Sequence, residues 1–147
     1  MARSSPERNK AVIIRLLKEV DNGNLAVIDE CYAAEYVDHT PSAIRGLAPG
    51  IEGVKNAFNL FRSAFPDTQH FIEDMIAEAD KVVVRLWARG THTGELMGLP
   101  PTGKEVTLSS IAIYRLKGGR IVERWAQSGV GILEQLGIIV PQPPPAS

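Results

Sequence analysis

The sequence has little cysteine and no surplus of charge of either sign. Cys31 is the only cysteine in 147 residues, so no disulfide can form within the chain, and nothing indicates an oxidising compartment. A lone cysteine is more often a small buried apolar side chain than a nucleophile. The 16 basic and 17 acidic residues give a net charge of −1. This balance favours neither nucleic acid nor an anionic membrane as a partner.

Signals for secretion, membrane insertion and metal binding are also missing. The first ten residues, MARSSPERNK, contain no apolar signal core, and no apolar run approaches the ~18 residues of a membrane helix. A cytoplasmic protein is therefore the expectation. The three histidines, at 39, 70 and 92, lack the i, i+4 spacing of a helical zinc site, so we expect no metal. The chain has no nucleophile elbow, phosphate-binding loop or dinucleotide fingerprint.

The composition and length of the chain suit one domain spanning 1–147. An apolar fraction of 44% is enough for a hydrophobic core, and the length is ordinary for a single domain. We expect the core at roughly 8–137, with flexible tails at 1–7 and 138–147, since the final stretch PQPPPAS cannot be helical.

Three segments in the first half of the chain predict helices. Ser5 suits an N-cap, and the apolar residues from Val12 to Val20 follow the 3.6-residue period. A second helix is predicted to carry Leu25, Ile28 and Tyr32. A third is predicted from Gly50, with an apolar side that ends at a proline.

The second half predicts a sheet. One strand is expected over 70–79, and the three longest over 81–91, 105–116 and 120–127, the last two joined by a tight Gly-Gly turn. Helices followed by strands predict an α+β fold. We expect a cone-shaped barrel: a curved, mixed, mostly antiparallel sheet with three N-terminal helices packed on its concave face around an interior cavity.

Several short sequence segments, taken in chain order, resemble those of a known family. They are YVDHTP, GIEGVKNAFNLFRSAFPDTQ, ADKVVVRLWARGTHTG, GTHTGELMGLPPTGKEV, IYRLKGGRIVERW and the final LEQLG. Over roughly residues 8 to 137 the chain resembles SnoaL-like proteins, the polyketide cyclase relatives within the nuclear transport factor 2-like superfamily. The resemblance implies a pocket between the sheet and the helices. It also implies an intramolecular aldol reaction that uses no metal and no organic cofactor, with an acidic residue as general acid and base.

The sequence departs from this family near the end of the last predicted strand, and the segment before the final LEQLG is about one residue short. Many relatives carry an aspartate or another polar residue just after the E-x-W motif, on the pocket side. Here Glu123-Arg124-Trp125 is followed by Ala-Gln-Ser-Gly, with no acid. Asp38 or Glu123 would then have to serve as the catalytic acid.

Alternation along residues 81–91 pairs a charge with an aromatic ring. Arg85 and Trp87 share one face of this strand, while the opposite face is wholly apolar. If the first face lines the pocket, Arg85 can hold a substrate oxyanion and Trp87 can stack on a flat ring. The alternative is that this face lies outside, with Arg85 in a salt bridge for which Glu123 is a candidate partner, and Trp87 at a dimer interface.

The last strand places Glu123, Trp125 and Gln127 on one face. In an apolar pocket the pKa of Glu123 would rise, which suits a base that removes a proton next to a carbonyl. Paired with Arg85 or Arg89 instead, its pKa would fall and its role would be structural. Trp125 and Gln127 are expected to contact substrate.

The segment before the first proline-rich loop supplies further candidates. Asp38 and His39 are predicted catalytic residues, although as neighbours in an extended segment they point to opposite sides and form no dyad. Tyr36 is expected to bind substrate. His92 either reaches over the pocket mouth or orders the loop that follows it.

Two function classes remain open. The first is a cofactor-independent aldol-type cyclase or isomerase that acts on a small, mostly apolar, carbonyl-bearing molecule. The second is a non-catalytic protein that binds such a ligand. A homodimer is expected in either case, because the helices cover only one face of the sheet, and apolar side chains on the other face need a partner.

Overall fold

The computed structural model describes residues 5–40 and 47–137. The elements run in the order α1 Pro6–Asp21, α2 Val27–Cys31, β1 Tyr32–Asp38, α3 Gly50–Ala64, β2 Gln69–Glu78, β3 Lys81–Thr91, β4 Glu105–Lys117, β5 Arg120–Ser128 and α4 Ile132–Gln135. The expected tail at 138–147 and residues 1–4 of the expected N-terminal tail lie outside the described residues. None of the described helices is long and apolar enough to cross a membrane.

Helix α1 begins as the local sequence predicts. The Ser5 hydroxyl accepts a hydrogen bond from the Arg8 amide at 3.2 Å, and a proline occupies the first turn. Its apolar side is buried, with Ile13 fully enclosed. The helix ends where Gly23 adopts a φ of 86°, a conformation that glycine reaches without strain.

Helix α2 is shorter than the sequence predicts. Tyr32 was expected on the helix but begins strand β1, where it pairs with Ile121 of β5. Its ring is buried and meets the Tyr36 ring edge-on at 4.7 Å. Sheet pairing and aromatic packing therefore override the helical periodicity at this point.

The sheet has five strands in the order β1-β5-β4-β3-β2. Only β1 and β5 run parallel, and the other three pairs are antiparallel. The expected α+β fold with a mixed, mostly antiparallel sheet is therefore confirmed. The sheet itself stays open, with β1 and β2 as its edges, and the helices rather than a closing strand complete the cone.

One face of β3 belongs to the main core. Val82 and Val84 are fully buried and pack in one cluster with Ile13 and Leu16 of α1. Arg85, which points to the opposite face, has a side chain 51% exposed. Strand alternation allowed two orientations, and the structure adopts the one with the wholly apolar face inside. Burial of apolar side chains is favourable, whereas removal of a charged side chain from water costs free energy.

The connection between β3 and β4 folds back onto the end of α3. The amides of Thr93 and Gly94 both donate to the carbonyl of Ala64, at 3.2 and 3.1 Å. A Cβ on Gly94 would lie 2.0 Å from the carbonyl oxygen of Ser63, so only glycine fits against this helix end. Ala64 also belongs to a second, smaller core with Leu96 and Leu136.

We predict that Gly94→Ala lowers the free energy of unfolding by about 1–3 kcal/mol, because the new methyl group must push backbone apart. The measurement is urea denaturation of the variant and the wild type. Gly129→Ala is the control, since a Cβ there would meet only the hydroxyl of Ser109 at 2.5 Å, which can rotate away. Equal losses in the two variants would contradict the close approach at Gly94.

Candidate functional site

An interior pocket of about 140 Å³ lies between the ends of α1 and α3 and the inner face of the sheet. Nine of its lining residues are apolar: Val20, Leu25, Phe58, Phe61, Phe65, Ala88, Val106, Leu108 and Ile132. The other six are Asp21, Arg62, Thr68, His70, Arg89 and Gly90. An apolar chamber with a few polar groups at one edge is the usual form of a small-molecule site.

The polar edge of this pocket contains a histidine held by an aspartate. His70 lies opposite Ala88 in the β2–β3 register, which turns its ring toward the interior. Its Nδ1 is 2.6 Å from Oδ1 of Asp21, and its backbone amide donates to Oδ2 of the same carboxylate at 2.8 Å. The two side chains are only 17% and 18% exposed. A carboxylate bound to one ring nitrogen orients the other, which is the arrangement used in acid–base catalysis.

Arg62 holds the end of α1 in place beside this pair. Its Nη1 donates to the carbonyls of Val20 and Asp21, at 3.0 and 3.2 Å. These carbonyls lie in the last turn, where helical partners are missing and a cation interacts favourably with the helix dipole. Arg62 therefore fixes the backbone that carries Asp21 and adds positive charge to the polar edge.

A second carboxylate secures the rim of the pocket. Asp67 accepts hydrogen bonds from the amide and the hydroxyl of Thr91, both at 2.7 Å. These bonds hold the pKa of Asp67 below its usual value, the backbone bond contributing most. Thr68 and Gly90, the chain neighbours of the two partners, both line the pocket.

None of the nine sequence-predicted site residues is among the described residues that line this pocket. Five of them lie on the outer face of the sheet according to the strand register: Arg85, Trp87, Glu123, Trp125 and Gln127. His39 lies on the same face, because its ring stacks on that of Trp125. Arg85 and Gln127 do come together there, in a shallow hollow of about 300 Å³ that also contains Glu73 and Ser109.

Glu123 is paired with Arg115 and not with Arg85. The two side chains are joined by contacts of 3.1 Å, because Glu123 faces Arg115 directly in the β4–β5 register. Arg85 sits one strand further away and forms its ion pair with Glu73. The hydrogen bond from Arg115 lowers the pKa of Glu123. The prediction that Arg85 pairs with Glu123 is therefore wrong, because the strand register places Arg115 opposite Glu123.

The outer face also stacks its aromatic rings in pairs. Trp87 lies on Phe71 with ring centres 4.2 Å apart, and His39 lies on Trp125 at 4.8 Å. His39 is 3.9 Å from the Glu123 carboxylate through its Nε2. These contacts form a continuous aromatic and charged surface on the side of the sheet away from the helices.

Tyr36 and Asp38 lie on the inner side, near the parallel edge of the sheet. Asp38 accepts a hydrogen bond from Nη1 of Arg124 at 3.0 Å, and Arg124 lies over the ring of Tyr114 at 5.9 Å. Tyr36 is only 4% exposed, and this burial, followed by the nearby charge of Asp38, raises the pKa of its hydroxyl. Asp38 is thus bound to a guanidinium at the edge of the sheet, with its side chain 36% exposed.

His92 has the contacts of a loop-ordering residue. It is fully buried, and its Nδ1 accepts from the amide of Thr102 at 3.2 Å and contacts the hydroxyl of that residue at 2.9 Å. Its backbone bonds Gly103 and Lys104 across the same loop. His92 therefore joins the two ends of the connection between β3 and β4.

Sequence reasoning missed the pair at the polar edge. His70 was noted as the first residue of a predicted strand and as one of three histidines without the spacing of a zinc site, and Asp21 was not singled out. The two residues are 49 positions apart, and neither belongs to a recognisable motif. Alternation places His70 on the same face as Ile72, but the pairing of β2 with β3 was needed to turn that face inward.

We predict that Asp67→Asn lowers the melting temperature near neutral pH but not in acid. A folded-state pKa below the unfolded one stabilises the protein above the unfolded value, ~3.9, and this stabilisation is lost as the pH falls toward the folded value. Thermal unfolding at a series of pH values is the measurement. The control is Glu95→Gln, which alters an exposed carboxylate in the same part of the chain. A destabilisation that stays constant in acid would contradict this role.

Comparisons with known proteins agree on one family. A family model described as SnoaL-like polyketide cyclase matches residues 11–136. Among curated proteins, no sequence matches the chain significantly.

Solved structures repeat the fold over nearly the whole chain. IdmH from Streptomyces antibioticus, a candidate polyketide cyclase, is 33% identical with a TM-score of 0.74, over 88% of this chain and 99% of its own. A candidate polyketide cyclase from Bacillus cereus is 29% identical with a TM-score of 0.76, over 90% and 83%. AclR from Streptomyces galilaeus, a candidate hydroxylase, is 25% identical with a TM-score of 0.77, over 90% and 98%.

The family model extends over most of the described residues, and the fold it implies is the fold observed. The chain therefore belongs to the SnoaL-like polyketide cyclase family.

Proposed function

We propose that the protein binds a small, mostly apolar, carbonyl-bearing molecule in the interior pocket and catalyses an aldol-type cyclisation or isomerisation of it by acid–base chemistry. The observation that carries this proposal is the pocket itself. Phe58 and Phe61 of α3 and Phe65, which follows the helix, face the inner side of the sheet across it. The polar groups of the pocket are gathered at one edge. Such a chamber suits a flat, partly unsaturated carbon skeleton whose oxygen atoms lie at one end.

The reaction requires no redox partner. A base removes a proton from the carbon next to a carbonyl, and the resulting enolate carbon attacks a second carbonyl of the same molecule. A carbon–carbon bond forms, and the alkoxide produced takes a proton back, so that product and substrate are isomers. An apolar chamber favours these steps because water is excluded from the enolate.

The relatives support the ligand class more than the reaction. IdmH is a candidate polyketide cyclase and AclR a candidate hydroxylase, so similar folds accompany different chemistry. The fold alone does not select a reaction, and the groups in the pocket must.

A second candidate function is ligand binding without catalysis, and two observations favour it. No acid stands in the Ala-Gln-Ser-Gly segment directly after Trp125. In addition, two of the residues predicted to be catalytic carry arginine partners, Glu123 with Arg115 and Asp38 with Arg124. Catalytic roles for Asp38, Glu123 and His39 stay predictions, as do contacts of the outer-face candidates with substrate.

We predict that Ala88→Phe abolishes ligand binding, because Ala88 lines the pocket from the C-terminal half of β3 and a benzyl group there would fill it. The probe is 6-propionyl-2-dimethylaminonaphthalene, an uncharged aromatic ketone whose fluorescence rises and shifts to the blue in apolar surroundings. The wild type should bind it saturably, and the variant should bind at least ~10-fold more weakly. Ala34→Phe, at an exposed position on the far edge strand β1, is the control. Equal binding by both variants would reject the interior pocket as the site.

We also propose that two copies of the chain associate through the outer face of the sheet. Ile111 and Ile113 are 49% and 36% exposed there, next to the partly buried indoles of Trp87 and Trp125. An apolar face of this kind is self-complementary when two copies meet about a two-fold axis. The partners of Glu123 and Arg85 on that face are already provided within the chain.

We predict that Ile113→Lys weakens dimerisation by at least ~10-fold, because it places a charge in the centre of the interface. Sedimentation equilibrium over a range of protein concentrations measures the dissociation constant. Ile14→Lys, on an isoleucine of α1 that is 48% exposed, should leave the constant unchanged. A wild type that stays monomeric at every concentration would contradict this proposal, as would an Ile113→Lys variant with the dissociation constant of the wild type.

A further inference from the structure

We propose that His70 is the residue that moves protons in the interior pocket and that Asp21 is its positioning residue. This rests on the proposed function of the pocket. Both residues line the pocket, together with two arginines and Thr68. His70 is the one side chain among these polar lining groups that can both accept and release a proton near neutral pH.

Both carboxylate oxygens of Asp21 contact His70. Oδ1 contacts the ring at Nδ1, 2.6 Å away, and Oδ2 accepts the backbone amide at 2.8 Å. An ionised carboxylate only accepts, so the proton of the neutral ring is on Nδ1 and Nε2 keeps its lone pair. Among the described residues, no group forms a hydrogen bond with Nε2. The ring is thus oriented as a base, with its accepting nitrogen available to a ligand.

The neighbours of His70 are consistent with this role. Thr68 donates its hydroxyl to the carbonyl of Phe65 at 2.6 Å, and Arg62 from α3 is bound to the last carbonyls of α1. Arg89 of β3 lies over the ring of Phe71, with its guanidinium on the outer face of the sheet, where Phe71 stacks on Trp87. Asp21 supplies the one negative charge among the pocket-lining residues, and Arg62 supplies positive charge beside it. This setting favours an enolate or phenolate oxygen bound beside the histidine.

The proton transfer balances without any further reagent. Nε2 takes the proton from the carbon next to the substrate carbonyl, and the C–H electron pair passes into the enolate. The Asp21 carboxylate stabilises the imidazolium that forms, as the aspartate does in a catalytic triad. After the enolate carbon has formed its new bond, the imidazolium returns the proton to the alkoxide. The substrate class is therefore an enolisable ketone whose acidic C–H reaches the polar edge of the pocket.

A purely structural role predicts different behaviour. The bond from the His70 amide to Oδ2 ties edge strand β2 to the end of α1, and this role needs no ring nitrogen. If the pair served only to join these elements, removal of the imidazole would change the melting temperature without affecting proton transfer in the pocket.

The test uses 5-nitrobenzisoxazole, a small flat molecule that reports on any base within an apolar pocket. Removal of its one acidic C–H proton breaks the N–O bond, forms a nitrile and releases a coloured phenolate. We expect wild-type kcat/KM to fall as the pH is lowered, because protonation of Nε2 removes the lone pair that acts as the base. His70→Gln should lower kcat/KM by ~10²-fold or more, the usual contribution of a general base. It should also abolish the acid limb.

Two further variants locate and explain the effect. Asp21→Asn should lower kcat at unchanged KM and alter the acid limb, because an amide no longer stabilises the imidazolium. Glu35→Gln, an exposed carboxylate of β1, should leave rate and profile unchanged. Binding of the naphthyl ketone probe by His70→Gln should stay within about twofold of wild type, since the loss concerns proton transfer and not the apolar chamber.

The outcomes separate this proposal from the function on which it rests. If Ala88→Phe loses turnover while His70→Gln keeps it, the pocket is the site and His70 is not the base. If Ala88→Phe loses neither probe binding nor turnover, the function proposed for the pocket fails. Wild-type turnover no faster than that of His70→Gln would overturn the role of His70.

A measurement on the wild-type protein keeps the proposal testable should His70→Gln fail to fold. The ¹⁵N spectrum of the histidine rings distinguishes a proton on Nδ1 from one on Nε2. We expect the Nδ1–H form for His70, and a shift of its Nε2 signal when 2-naphthol, which can donate a hydrogen bond, is added. The Nε2–H form, or an Nε2 signal that 2-naphthol leaves unchanged, would reject the assignment.

Discussion

Burial of the apolar face of β3 against α1 is the constraint on which the rest of the structure depends. Val82 and Val84 are fully enclosed with Ile13 and Leu16, and burial of such side chains is worth roughly 1.5–3 kcal/mol each. Because successive side chains in a strand point to opposite faces, this contact also decides where every charged residue of β3 must lie. Cross-strand pairing then carries the same division into β2, β4 and β5.

The two faces of the sheet acquire different chemistry as a result. The outer face contains ion pairs and stacked rings, with Glu123 bound to Arg115 and Trp87 stacked on Phe71. The inner face is apolar except near its edges, where Asp38 is bound to Arg124 and His70 to Asp21. Of these two inner pairs, only the second lines the pocket. The pocket forms where α1 and α3 end, because helices that stop short of the strand ends leave the inner face uncovered there.

Membership of the SnoaL-like family and the identity of the reacting groups are separate matters. IdmH and AclR share the fold at 33% and 25% identity, yet they are candidates for different reactions. In this chain the segment after the E-x-W motif has no acid, and a histidine and an aspartate face the pocket from β2 and α1 instead. A cone of this kind can accept an acid–base group from more than one wall, because each wall presents side chains to the same enclosed volume.

Features of this protein that depend on local chemistry were predictable from the order of residues. Ser5 and the 3.6-residue period predicted α1, the Gly-Gly turn predicted the last hairpin, and β3 was predicted with the bounds observed. These features follow from a few neighbouring residues. The short sequence segments that indicated the family are likewise read directly from the order of residues.

The tertiary structure alone decided which face of β3 is inside, which arginine binds Glu123 and which titratable side chains meet in the pocket. Alternation divides a strand into two sets of residues but does not say which set is buried. The partner of Glu123 depended on strand register, which is set by pairing between distant segments. Asp21 and His70 are brought together by the packing of α1 against β2 across 49 positions of chain, and a contact of that range leaves no signal in the local sequence.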